Sequence, residues 1–335
     1  MRKNKKNLPI LIDLCCGMGG ISLAARSIGL EPIAGVDINE KALKTYSRNF
    51  SSAVTINGDI ANPKTINKCI AIRCQEKYKD RELVVVSGPP CQGFSVAGKR
   101  DPNDLRNDVL FSVGKAIIKL KPAFALIENV ATLLMDIHRR RVERLTYALQ
   151  RAGYYVTPIV LDAQEFGVPQ RRRRVFFYIS NNLLEKCSLE KKMVLMKTRK
   201  ITVFEAFVGL KKPGVRPKDY IDEREKALIY NHLAMRHSKK VKKKISLLLP
   251  GTGPLSYRRL DPAKPANTLI SGHRAPPAHF SEPRSITVRE AARLQGFPDA
   301  FRVYGHFGSQ MEQVTNAVPP PLAKVALMTL LRDQI

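Results

Sequence analysis

The sequence predicts an α/β fold: a mostly parallel sheet of seven strands with helices on both faces, joined to a second, smaller and strongly basic lobe. Three observations lead there. From residue 9 to about 180, short β-rich apolar runs alternate with segments of helical period, the signature of repeated strand–helix–strand units. Runs such as Leu83-Val84-Val85-Val86 are apolar throughout, as a strand buried on both sides requires. After about residue 181 the alternation stops, and Lys- and Pro-rich sequence continues to about 283.

In order, the strands are expected at 10–14, 32–36, 54–60, 83–87, 124–127, 156–161 and 175–179, with helices between most of them at 40–49, 63–79, 105–120 and 139–151. Helical patterning returns at 287–295 and 321–331. The chain has 335 residues, with 57 Lys and Arg against 29 Asp and Glu, a formal charge of +28. That excess excludes an acidic disordered tail and points to a polyanion. With 44% hydrophobic residues, a chain of this length can bury a large core and is expected to form two lobes. It contains no run of about 18 apolar residues to span a membrane and no signal-peptide core, so a soluble cytoplasmic protein is expected. Six cysteines are too sparse for a disulfide scaffold and fit a reducing compartment. Cys69 and Cys74 are spaced too widely for a metal knuckle, and no metal is expected.

The residues with chemical potential gather where strands end. The first strand runs into Asp13-Leu14-Cys15-Cys16-Gly17-Met18-Gly19-Gly20, and the second ends at Asp37. Glycines at a strand-to-helix turn let a ligand approach the backbone, and an acid about 20 residues on accepts from ribose hydroxyls. A dinucleotide site would want a third glycine near Ser22, which is absent, so a cofactor with a ribose and no pyrophosphate fits better, for example S-adenosylmethionine. Taken alone, the turn also fits a role in tight packing. Asp59 adds a polar group at the end of the third strand. The fourth strand leads into Gly88-Pro89-Pro90-Cys91-Gln92-Gly93-Phe94-Ser95, and the fifth ends in Glu128-Asn129-Val130. A lone cysteine is more often buried and inert, but a thiol and a carboxyl on adjacent strand ends can attack and protonate opposite sides of one small ring. The run Arg171 to Arg174 by itself reads as a solvated basic edge; alternation along a strand puts Arg172 and Arg174 on one face and Arg171 and Arg173 on the other.

Taken together, Gly-Pro-Pro-Cys-Gln, Glu-Asn-Val, Gln170-Arg171-Arg172-Arg173-Arg174 and Asn316-Ala317-Val318-Pro319 resemble, in order and spacing, the motifs of DNA (cytosine-5)-methyltransferases of the restriction-modification type. The resemblance runs from Leu11 to about Leu330. It implies a Rossmann-like S-adenosylmethionine-dependent catalytic domain (1–180 plus 311–335), a target-recognition domain (181–283) and a hinge (284–310). Carbon 5 of cytosine is a poor nucleophile until a thiolate adds at carbon 6. The resemblance gives that thiolate to Cys91 and the protonation of ring N3 to Glu128, whose pKa a dry pocket can raise. Asn129 would hold Glu128 or the adjacent loop. Arg174 and Arg172 would face the base or its flanking phosphate, and Gln92 and Ser95 would lie on the loop closing over the nucleotide. A base inside a duplex is closed on both faces and must be flipped out.

For S-adenosylmethionine, the resemblance assigns Gly17, Met18, Gly19 and Gly20 to the methionine part, together with Asp13, Cys15 and Cys16, the last two standing where the family has an aromatic. Asp37 would take the ribose and Ile38 the adenine, with Asp59 and Ile60 at its edge and Pro90 and Leu110 completing the wall. Asn316 and Val318 would return from the far end of the chain to the cofactor; Thr315 stands where the family has glycine. The basic lobe would bind duplex DNA with steep salt dependence, with Asn231, His232, Arg236, Arg258 and Arg259 as candidates for base or phosphate contacts. Tyr257-Arg258-Arg259-Leu260 also reads as the scaffold bordering that lobe. Implied partners are duplex DNA with a specific cytosine target and a cognate restriction endonuclease as genetic companion, the chain itself being a monomer in a prokaryotic cytoplasm. Two other readings stand beside this one: an RNA cytosine-5 methyltransferase of the same fold and a catalytically silent DNA-binding relative. A nicotinamide oxidoreductase is disfavoured by the missing third glycine.

Overall fold

The apolar runs of the first half assemble into one seven-stranded sheet. In the computed structural model, which describes residues 8–90, 109–215, 229–254, 257–270 and 276–331, the strands are β1 (Ile10–Leu14), β2 (Glu31–Asp37), β3 (Val54–Asn57), β4 (Leu83–Ser87), β5 (Phe124–Val130), β6 (Tyr155–Asp162) and β7 (Arg173–Ser180). Their order is β3-β2-β1-β4-β5-β7-β6. β1 pairs in parallel with β2 and β4, β2 with β3, and β4 with β5. β7 runs antiparallel to β5, with Glu128 opposite Phe176 and Val130 opposite Arg174. Every residue of β1, β4 and β5 is buried, which is why these strands read as continuous apolar text.

Helices α1 (Gly20–Ser27), α2 (Glu40–Asn49), α3 (Pro63–Arg73), α4 (Val109–Leu120) and α5 (Arg139–Arg151) connect the strands. Local chemistry fixes their starts. The Asn39 side chain accepts from the amides of Lys41 and Ala42, and Asn62 accepts from Lys64 ahead of Pro63 at the first helical position; both are preferred helix-start arrangements. Two elements are shorter than the sequence predicts. α3 stops at Arg73, where Cys74, Gln75 and Tyr78 enter hydrogen-bonded turns. β3 stops at Asn57 because Gly58 donates to the Asp37 carbonyl and the Asp59 carboxylate turns back to the Ala61 amide.

The chain divides into two compact units, Met1–Leu161, Arg173–Lys197 and Leu322–Ile335 forming the first, Asp162–Arg172 and Thr198–Pro321 the second. These boundaries differ from the sequence expectation. Residues 181–197 stay with the sheet, because α6 (Lys186–Val194) buries Leu189 and Met193 and the Leu184 carbonyl accepts from Thr157 of β6. The expected hinge, 284–310, belongs wholly to the second unit. That unit has little regular structure: α7 (Val203–Phe207), the short pair β8 (Gly214–Val215) and β9 (Leu233–Ala234), α8 (Lys239–Ser246), α9 (Val288–Leu294) and α10 (Phe307–Asn316), after which α11 (Pro320–Leu331) returns the chain to the first. Buried polar groups hold it. Arg284 grips both carboxylate oxygens of Glu290 at 2.8 and 2.7 Å, and Arg289 donates to the carbonyls of Tyr230, Pro298 and Phe301. None of the helices among the described residues is long and apolar enough to cross a membrane.

Candidate active site

Strand order places the site. β1 has β2 on one side and β4 on the other, so connections leave its two neighbours in opposite directions and open a crevice at the carboxyl ends of β1 and β4. The Cys15–Gly20 turn and the Gly88-Pro89-Pro90 segment both emerge there.

Gly17 has φ +53°, and a Cβ on it would meet nothing within 4 Å; the glycine is needed for the backbone, and its open side leaves room for a ligand. Its amide donates to Asp37 Oδ2 at 2.8 Å, while the Asn39 amide donates to Oδ1 at 2.8 Å. Burial pushes the Asp37 carboxyl above the usual carboxylate range, against the pull of these amides. Beside it, Ile38 is 72% exposed, an apolar side chain left open at the end of a buried strand. The Asn57 amide fixes this corner by donating to the carbonyls of Asp37 and Ile38. Asp59 and Pro90 are also exposed, whereas Ile60 and Leu110 are buried in the core.

Several residues expected to face the cofactor support the turn from beneath instead. Asp13 is buried and accepts from Ser22 Oγ at 2.6 Å, and Ser22 Oγ lies 2.9 Å from Tyr46 Oη. Tyr46 and Phe50 pack at a ring distance of 4.6 Å against Gly19, where a Cβ would collide with the Phe50 ring. Met18 is buried as well, and Gly20 opens α1. Ser22 stands where a dinucleotide fold would have its third glycine; its hydroxyl is needed here. Tyr46 did not stand out in the sequence, and Ser22 did so only as the position of the missing third glycine. Cys15 adopts φ +56°, a conformation costly for a side-chain-bearing residue. Burial pushes the thiols of Cys15 and Cys16 up, so neither is a nucleophile at neutral pH.

Cys91, Gln92 and Ser95 lie outside the described residues. The strand ends on either side of them are described. At the end of β5, Asn129 is 1% exposed; its Nδ2 donates to the Pro89 carbonyl at 3.3 Å, and its Oδ1 accepts from the Val130 amide at 2.9 Å. Asn129 thus fastens β5 to the segment two residues before Cys91. Its neighbour Glu128 meets Arg174 across the antiparallel pair, with Nε 3.0 Å from Oε1 and both side chains largely buried. Arg174 Nη1 is further oriented by the Arg173 carbonyl.

Arg172 departs from the expectation. It is 3% exposed, and its Nη2 donates to the Ala317 carbonyl within the second unit; β7 begins only at Arg173, so strand alternation does not apply to it, and the guanidinium serves the scaffold. Gln170 is likewise internal, bonded to Leu294, Gln295 and Leu269. Also in the second unit, Asn316 is exposed at the end of α10 and Val318 is buried. Thr315 replaces glycine without strain because it is helical, its hydroxyl bonding back to the Met311 carbonyl. Among the candidates for DNA contact, Asn231 takes both polar groups of Val303, Arg259 is caged by carbonyls, and His232 bridges Thr287 and the Lys211 carbonyl. Arg236 and Arg258 remain exposed.

One sheet edge therefore holds a backbone cradle with a carboxylate and an open apolar side chain, and a carboxylate–guanidinium pair whose strand end is hydrogen-bonded to Pro89, two residues before Cys91 in the sequence. Residues 10–332 match the family of C-5 cytosine-specific DNA methylases. The chain is 34% identical to the Type II methyltransferase M1.HphI of Haemophilus parahaemolyticus, over 96% of this chain and 86% of that protein. It is 29% identical to the Type II methyltransferase M.XorII of Xanthomonas oryzae, over 94% and 83%. Among solved structures it is similar to a DNA modification methyltransferase encoded within an Escherichia coli prophage, with TM-score 0.79 and 27% identity over 97% of this chain and 99% of that one. The fold is shared with Dnmt2 methyltransferase of S. pombe, TM-score 0.67 at 16% identity over 98% and 99%.

Proposed function

Because the chain belongs to the C-5 cytosine-specific DNA methylases, it transfers a methyl group from S-adenosylmethionine to carbon 5 of cytosine in DNA, and we propose that it does so through a covalent bond between Cys91 and carbon 6 of a flipped-out base. The observation that carries this reading is the Asn129 to Pro89 hydrogen bond: it ties the strand end bearing Glu128 to a residue two positions before Cys91 in the sequence, which supports acid and nucleophile acting on one ring.

The residues fit the cofactor. The Gly17 side of the turn is open, Asp37 accepts hydrogen bonds from ribose hydroxyls, and Ile38 offers an apolar face to adenine. When bound, S-adenosylmethionine supplies an electrophilic methyl group on a sulfonium sulfur. The protein's own part is to make carbon 5 nucleophilic. The Cys91 thiolate adds to carbon 6, breaking the 5,6 double bond, and the electron pair moves toward N3, which takes a proton from Glu128. Arg174, 3.0 Å from Glu128, orients that carboxyl and balances its charge once the proton has left. After methylation, transfer of the carbon-5 proton to water restores the 5,6 double bond and expels the thiolate, and N3 returns its proton to Glu128. Asp13, Ser22 and Tyr46 keep the glycine turn in shape and touch neither reactant.

Two of the proteins it resembles are named Type II methyltransferases, which supports a role as the modification half of a restriction–modification pair, acting on a specific duplex sequence.

The test uses labelled S-adenosylmethionine with duplex DNA or with RNA, followed by digestion to nucleosides. Label in DNA 5-methylcytosine is expected; label only in RNA, or none, overturns the reading. With DNA carrying 5-fluorocytosine at the target, wild type becomes covalently attached and Cys91→Ser does not. Attachment of the serine variant removes Cys91 from its role.

A further inference from the structure

Residues 229–260, in the second unit, hold eight Lys and Arg and no Asp or Glu. Five of the eight, Lys239, Lys240, Lys242, Lys243 and Lys244, lie on α8, and all five are exposed. Helical geometry sets Lys239 beside Lys242 and Lys243, and Lys240 beside Lys243 and Lys244; each such pair repels. The first two lysines also oppose the positive end of the helix dipole. No ion pair among the described residues involves any of the five.

A helix loaded in this way is poorly stable alone, yet it is fastened at both ends. Ser238 Oγ accepts from the Val241 amide at its start. At the other end the buried Arg259 donates through Nη1 to the carbonyls of Ile245 and Leu248, and through Nε to those of His279 and Phe280. The clamp is therefore another cation, which satisfies carbonyls at the helix end and neutralises none of the lysines. Nearby His237, bonded to Ser285, is held below the usual histidine range first by burial and then by Lys242 and Arg284. Rigid support beneath uncompensated lysines leaves the counter-charge to come from outside.

We propose that α8 is a rail for the phosphate backbone of duplex DNA, gripping it without regard to base sequence. Eight residues of helix span about 12 Å, over which one DNA strand presents roughly three to four phosphates. The rail rests on the DNA reading above and specifies which element supplies the sequence-independent part of binding.

The experiment measures affinity for a duplex of about 24 base pairs built only from A and T, which can contain no target cytosine, by fluorescence anisotropy across a range of salt. Wild type is compared with Lys239→Gln/Lys242→Gln/Lys243→Gln and with the same three positions changed to Arg. The Gln variant should lower the slope of log affinity against log salt by about 2 to 3, at about 0.9 per phosphate released. Its affinity should fall tenfold or more, while the Arg variant keeps the wild-type slope. Affinity for S-adenosylmethionine and turnover at saturating DNA should stay unchanged in both. An unchanged slope in a Gln variant that still binds S-adenosylmethionine, or a loss seen only with an RNA duplex, overturns the rail while leaving DNA methylation standing. Wild type that neither methylates nor binds DNA overturns both.

Discussion

Replacing Asp13 with Asn should stabilise the protein, and by more at higher pH. Burial pushes the Asp13 carboxyl up from 3.8 to about 7, with Ser22 opposing the rise and Asp37 adding to it. In the unfolded chain the group is ionised above about pH 4, whereas in the fold it keeps its proton until near neutrality. Between these values the folded state binds more protons than the unfolded one, so this residue makes stability fall as pH rises. The full cost, about 3 units at roughly 1.4 kcal/mol each, is about 4 kcal/mol and is complete above pH 7. Asn imitates the protonated acid: its carbonyl accepts from Ser22, and it never ionises. The stability gap between Asp13→Asn and wild type should widen by about 2.5 kcal/mol from pH 5 to pH 8. Groups that do not interact with Asp13 are common to both proteins and cancel in the comparison. The chain has no tryptophan, so urea titrations at pH 5, 6, 7 and 8 are best followed by far-ultraviolet circular dichroism. A gap that stays constant over that range would falsify the claim that Asp13 is neutral in the fold.

Gly17 and Gly19, in the turn after β1, should respond differently. Gly17→Ala costs about 1 kcal/mol of backbone strain and places a methyl group in open space, so it should fold and lose S-adenosylmethionine affinity. Gly19→Ala drives a Cβ into Phe50 and should lower the melting temperature further; equal melting temperatures would contradict the packing. Asn129→Ala frees the Pro89 carbonyl and should reduce kcat at least tenfold with S-adenosylmethionine affinity kept within about twofold, an unchanged kcat in steady-state assays refuting the tie. Glu128→Gln should cut turnover by about 10²-fold or more, measured as label incorporated per unit time, and near-normal turnover would remove Glu128 as proton donor.

The sheet was legible because its inner strands are buried on both faces. Leu83-Val84-Val85-Val86 can hardly be anything else, and α2 and α5 lie where periodicity put them. The antiparallel direction of β7 was not legible, since alternation and apolarity carry no sense of direction. At the strand ends, spacing alone singled out Asp37 and the Gly17 turn, the family motifs singled out Glu128 and Asn129, and the fold gathers these residues at one sheet edge. Missing were the groups beneath them: Ser22 and Tyr46 read as ordinary helix residues until β1, α1 and α2 are folded together. The burial of Arg172 was hidden for a related reason. Guanidinium charge looks like surface in a sequence, and only the Ala317 carbonyl reveals that it is buried.

Among the described residues of the second unit, Arg172 is one of four buried arginines, with Arg259, Arg284 and Arg289, and the architecture accounts for them. Among its described residues that unit has few long helices and one two-residue strand pair, which leaves many backbone carbonyls outside any ladder, and a buried carbonyl without a donor is costly. Arginine carries five donors in a fixed plane and cannot lose its charge, so a single side chain serves several carbonyls. Arg259 takes those of Ile245, Leu248, His279 and Phe280, and Arg289 those of Tyr230, Pro298 and Phe301. Part of the +28 formal charge is thus internal glue, and it is the exposed lysines of α8, more than the arginine count, that measure what the protein offers to a polyanion.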